Sequence, residues 1–103
     1  MKLKWWIVAV LLPSAAPVMA QGADALYVKS VSATCANCHG TNGKGVDGSS
    51  VPSIAGMPKD YIVAQMKAFK AGTRPATVMH QLSKGYSDAQ VDAIAGYLSV
   101  QKK

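Results

Sequence analysis

Cys35-Ala36-Asn37-Cys38-His39 is the stretch on which the reading of the whole chain turns. Two thiols three positions apart, followed at once by an imidazole, make C-x-x-C-H, the haem-attachment signature. The spacing has a geometric cause. On one helical turn each thiol can add to a vinyl group of the same macrocycle, while the next residue projects beneath the iron, where His39 supplies an imidazole nitrogen as proximal ligand. Other chemistries fit less well. A thioredoxin-like C-x-x-C wants a βαβ framework, and the chain carries no β alternation. Tetrahedral zinc wants four ligands, and beyond Cys35, Cys38 and His39 only His80 is left. A lone disulfide is the third alternative.

Downstream of the motif, residues 40–56, GTNGKGVDGSSVPSIAG, hold Gly40, Gly43, Gly45, Gly48 and Gly56 with Pro52, so no regular element can persist there. A loop this long in a small domain needs a reason, and wrapping a prosthetic group is such a reason. Upstream, Asp24 to Ala33 has no Gly or Pro and reads as a short first helix, with Asp24 as a possible cap. Helix character returns after Pro58, where Ile62, Met66 and Phe69 share a face and Gly72 ends the run. Residues 73–86 are broken by Pro75 and Gly85 and read as irregular. A last helix opens on Ser87 and Gln90, which have the separation of a capping box, and buries Val91, Ile94, Ala95 and Leu98, with Tyr97 at the border. The expectation is an all-α domain of three main helices and long loops wrapped around one covalent haem.

At the other end, MKLKWWIVAVLLPSAAPVMA has two lysines, an apolar run from Trp5 to Leu12 and a small-residue finish, the layout of a secretory signal peptide. The apolar run falls well short of the ~20 residues that a membrane-spanning helix needs. Cleavage after Ala20 leaves residues 21–103 as the domain; Ala23-Asp24-Ala25 offers a second site, after Ala25, that fits the same pattern. Export implies the periplasm and no stable membrane insertion once the leader is gone. A domain of this size has little apolar core of its own and should depend on something that staples it. Without Lys2 and Lys4 the balance is nine basic residues to five Asp and no Glu. That moderate positive charge fits docking to an acidic protein surface or an anionic headgroup layer better than nucleic-acid binding, acting mainly on encounter rate, with plain solubility as an equal alternative.

The distal side of the iron can draw on Met57, Met66, Met79 and His80. Met66 belongs to the apolar stripe of the middle helix, and Met57 sits against Pro58 with little slack. Met79 lies between Pro75 and Gly85, on a segment free to carry its sulfur across the distal face, and is the preferred ligand. His80 is its rival, read as a solvated surface residue. His/Met ligation raises the potential of a haem relative to two imidazoles and leaves no open site, which describes an electron carrier and not an enzyme.

With CANCHG, the Gly-rich loop, VPSIAG, MKAFKAGTRP, a loop methionine and SDAQVDAIAGYL, residues 24–101 resemble a small class I cytochrome c. Within that group, MKAFKAGTRPATVMHQLSKGYSDAQVDAIAGYL is similar to the haem subunit of the flavocytochrome c type of sulfide dehydrogenase. The resemblance implies a cytochrome c-like fold, one haem c iron per chain, electron transfer as the function, and Cys35, Cys38, His39 and Met79 as haem-binding residues. It implies that the Pro52 carbonyl accepts the proton of the His39 ring, and that the first and last helices cross, with Leu26 and Tyr27 near Ile94 and Tyr97. It also implies redox protein partners, with Lys44, Lys59, Lys67, Lys70, Arg74 and Lys84 as candidates to steer them. A flavoprotein is the partner under the alternative reading, in which the chain is the electron-accepting subunit of a sulfide dehydrogenase.

Overall fold

A computed structural model describes residues 18–103. The proposed leader, residues 1–20, lies outside the described residues except for its last three positions. Three longer helices carry the fold: α1 (Val18–Ala33), then, beyond the single-turn α2 (Ala36–His39), α3 (Lys59–Ala71), and, beyond the single-turn α4 (Met79–Leu82), α5 (Asp88–Ser99). Tight 3-10 turns follow α2 at Thr41–Gly43 and α4 at Ser83–Gly85. Among the described residues there is no strand, and the all-α expectation holds.

Local chemistry explains the helix ends. At α5 the Ser87 hydroxyl accepts from the Gln90 backbone N–H at 3.2 Å, and the Gln90 side chain accepts from the Ser87 N–H at 2.9 Å, so the capping box forms as read. Helix α3 stops at Gly72, whose φ of 75° is left-handed and whose N–H donates to the Phe69 carbonyl at 3.1 Å. Pro58 precedes the first helical residue of α3 and is not itself that residue. The first helix differs more. It begins at Val18, so Asp24 lies inside it and caps nothing; Met19, Ala20 and Gln21 extend the helix, and Gly22 within it is tolerated at about 1 kcal/mol. Both expected cleavage sites fall within α1.

α5 is the hub, packed against α1 on one side and α3 on the other. Ile62 from α3 and Ile94, Ala95 and Leu98 from α5 form the buried cluster, and Val31, Cys35, Ile54, Met57, Val63, Met66, Tyr86 and Tyr97 close around it. From α1 the contact is made by Val31 and, just past its end, Cys35. The first and last helices pack together as expected, and in the Leu26/Tyr27 region Leu26 stands 66 % exposed while Gln90 of α5 donates to the Tyr27 hydroxyl at 3.1 Å.

The glycine-rich segment is stitched rather than loose. Gly43 is buried with φ of 77°, and a Cβ there would lie 2.8 Å from Ile54 and 2.9 Å from Leu98, so the backbone passes where no side chain fits. Its carbonyl accepts from the Ile54 N–H at 2.8 Å, the Ala55 N–H at 3.0 Å and the Ser53 hydroxyl at 3.1 Å. The next residue, Gly56, donates to the Leu98 carbonyl at 2.8 Å, fixing the loop to the end of α5.

Candidate haem-binding site

α2 is a single turn that continues α1 after a break. The Cys35 N–H donates to Ser32 at 3.1 Å, and the Cys35 carbonyl then accepts from Cys38 at 3.3 Å and His39 at 2.9 Å. Both thiols and the imidazole therefore ride on one rigid turn. Both cysteines are free thiols, Cys35 half-buried against the core and Cys38 exposed. Burial pushes the Cys35 thiol above its ordinary value, with the nearby Thr34 side chain and the Cys35 backbone acting in the opposite sense. Directly after His39 the chain reverses through Gly40 at φ of 90°, where a Cβ would sit 2.0 Å from the Lys44 carbonyl oxygen.

That reversal sends residues 44–52 back over the imidazole. His39 Nδ1 lies 2.7 Å from the Pro52 carbonyl oxygen. A carbonyl can only accept, so Nδ1 carries the proton and Nε2 keeps the lone pair that a metal takes.

The candidate sixth ligands lie on different elements. Met79 opens α4 and is half-buried, while Met57 and Met66 pack against the core cluster. α4 packs on α3, and α2 on α1, so the two turns bearing His39 and Met79 are anchored separately. The segment 73–86, read from sequence as irregular, is partly helical, because the stretch from Ala76 to Lys84 has neither Pro nor Gly and has room for one turn. His80 also departs from the reading as a solvated residue. It is half-buried, and its Nδ1 is enclosed with no hydrogen-bond partner.

The surroundings fit a large apolar group. Val46 in the loop after His39, Tyr61 on α3, and Val78 and Leu82 on either side of Met79 stand exposed at 46–74 %, apolar surface that such a group would cover. Two thiols, an imidazole and a thioether are the donors that haem c uses. A tetrahedral metal cage has no counterpart, since among the described residues no three His, Cys, Asp or Glu side chains are grouped to hold an ion.

Several supports were not legible from spacing. The Thr34 hydroxyl donates to the Val31 carbonyl at 2.8 Å, so the Tyr86 hydroxyl, 2.6 Å away, must donate to Thr34, tying the segment before α5 to the attachment turn. Tyr97 donates to Asn42 at 2.7 Å, and Asn42 adopts a left-handed φ of 55°. The Asn42-Gly43 pair is the sequence signal that could have marked that conformation. The basic set is partly engaged: Lys59 pairs with Asp92 at 3.2 Å, Lys70 donates to the Tyr86 carbonyl at 2.8 Å, and Arg74 lies 4.8 Å over the Phe69 ring. Lys44, Lys67 and Lys84 are exposed.

A helical chain with a C-x-x-C-H turn, whose imidazole meets the Pro52 carbonyl, and a methionine on a separately anchored turn is of the covalent-haem class. It belongs to the cytochrome c family, whose model matches residues 25–102. It is similar to the cytochrome subunit of sulfide dehydrogenase of Chlorobaculum tepidum, 42% identical over 67 residues, 65% of this chain and 59% of that one. It also resembles a thiosulfate dehydrogenase electron acceptor of Thiomonas intermedia, 40% identical over 70 residues, 68% of this chain and 32% of that one. Among solved structures, cytochrome c4 of Acidithiobacillus ferrooxidans aligns with a TM-score of 0.62 at 33% identity, over 84% of this chain and 52% of that one. The chain thus spans from a third to three-fifths of the length of these proteins. Haem-mediated electron transfer is the chemistry of the family.

Proposed function

We propose that this chain is an exported, periplasmic one-electron carrier, with residues 1–20 removed as a signal peptide and residues 21–103 holding one haem through Cys35 and Cys38, with His39 and Met79 as axial ligands. Haem c supplies the one-electron iron couple. The chain's residues supply the rest. Cys35 and Cys38 fix the macrocycle on the turn that carries His39. Pro52 sets the His39 tautomer and aims Nε2, the single observation that carries the reading, at 2.7 Å. Met79 contributes a thioether, which favours the reduced iron. Val46, Tyr61, Val78 and Leu82 shield the ring from water, and Lys44, Lys67 and Lys84 attract an acidic partner.

The test is export from a host able to attach haem, followed by intact mass and a pyridine haemochrome spectrum. One haem added to a chain beginning at Gln21 or Leu26 is expected; a colourless product with both sulfurs free or joined to each other would overturn the proposal.

A second reading draws on the likeness to a protein named as the cytochrome subunit of a sulfide dehydrogenase. In it the chain is the electron-accepting subunit beside a flavoprotein, and catalysis belongs to the partner. Copurification with a flavin-containing chain in fixed stoichiometry separates this reading from the free carrier.

A further inference from the structure

We infer that His80 is a reserve axial ligand: when Met79 is lost from the iron, His80 takes the vacated position through Nε2. The inference rests on the reading of Met79 as sixth ligand and deepens it.

The first observation is the ring itself. His80 is half-buried, with Nδ1 enclosed and no group to bond it. A buried polar atom without a partner costs about 1–3 kcal/mol, a cost that a histidine turned to solvent avoids. The packing therefore encloses this imidazole, one position along from Met79, without using it for structure. With Nδ1 enclosed, Nε2 is the nitrogen available to a metal.

The second observation is the turn that carries it. α4 has four residues, Met79 is the first, and Val78 before it supplies no side-chain cap. A single turn has no cooperative stability of its own. Few bonds hold it: the Val78 carbonyl accepts from the Gln81 N–H at 3.0 Å and the Leu82 N–H at 3.1 Å, and the hydroxyl of the fully buried Ser83 donates to the His80 carbonyl at 3.3 Å. Neighbouring Cα atoms are ~3.8 Å apart, so opening those few bonds lets the chain advance by one position and brings His80 to where Met79 stood. Met57 and Met66, packed against the core cluster, have no such freedom.

The exchange balances simply. The iron–sulfur bond breaks, an iron–nitrogen bond forms from the Nε2 pair of a neutral ring, and the oxidation state is unchanged. The consequence is a carrier that survives loss of the thioether as a closed, two-imidazole site of lower potential.

The experiment compares four ferric holoproteins, wild type, H80A, M79A and M79A/H80A, by far-red absorption and electron paramagnetic resonance. Wild type and H80A should keep the sulfur-to-iron band. M79A should lose it yet remain low-spin, and M79A/H80A should turn high-spin. Imidazole should bind M79A at least about tenfold more weakly than the double variant, since it must displace a seated ligand. A high-spin M79A overturns the reserve role and leaves the His39/Met79 reading intact, whereas an M79A that keeps the far-red band overturns both. If M79A/H80A does not hold haem, M79A alone still decides: a two-imidazole low-spin signal supports the inference and a high-spin one ends it.

Discussion

At the scale of single residues the site is organised by backbone positions as much as by side chains. Gly40 holds a φ of 90° with the Lys44 carbonyl occupying the space of any Cβ, so Gly40→Ala should be strongly destabilising. Backbone strain of this kind is about 1–3 kcal/mol before the clash is counted. A guanidinium titration of the holoprotein should show a lower midpoint together with a reduced yield of attached haem; an unchanged midpoint would mean the turn can reroute. Met79→His should lower the midpoint potential in a redox titration, because the thioether that favours ferrous iron is replaced by an imidazole. The cysteines and His39 were legible because their chemistry fixes their spacing. Pro52 was not legible from spacing, since its contribution is a carbonyl oxygen, which every residue has; it came only through resemblance. His80 was misread because an isolated polar residue in an apparent loop is ordinarily solvated, and what encloses its Nδ1 is set by the tertiary fold.

At the scale of elements, long amphipathic segments with chemical punctuation were readable and short turns were not. α5 announced itself by a capping box and a four-residue apolar stripe, all of which is buried. Ser87→Ala should lower stability by about 1 kcal/mol, against a few tenths for Ser87→Gly, through loss of the bond to the Gln90 N–H. Urea unfolding should show this as a shifted midpoint at constant slope. α3 was equally clear from its stripe and Gly72. α2 and α4 are single turns, too short for a 3.6-residue period to register, and they form because α1 and α3 offer surfaces to pack on. The early start of α1 was missed because Gly22 and the small residues around it look like the end of a leader before they look like helix.

At the scale of the whole molecule, a buried cluster of four side chains is a slender core. A Cys35→Ala, Cys38→Ala chain lacking haem should therefore show no cooperative thermal transition, and a sharp calorimetric peak would refute the dependence. The exposed cations Lys44, Lys67 and Lys84 bear on partner encounter. Exchange with an acidic redox protein should slow as ionic strength rises, and should lose that slope when the three are neutralised together. Lys59, Lys70 and Arg74 already have intrachain partners and should matter less to it.

Five consecutive positions, 52 to 56, each grip a neighbour: Pro52 holds the imidazole, Ser53, Ile54 and Ala55 converge on one carbonyl, and Gly56 reaches the end of α5. Such a seam cannot peel from one end, because releasing any stitch strains the next. Deuterium uptake at the amides of Ile54, Ala55 and Gly56 should accordingly proceed at a single common opening free energy, and that event should coincide with release of the His39 ring from the Pro52 carbonyl.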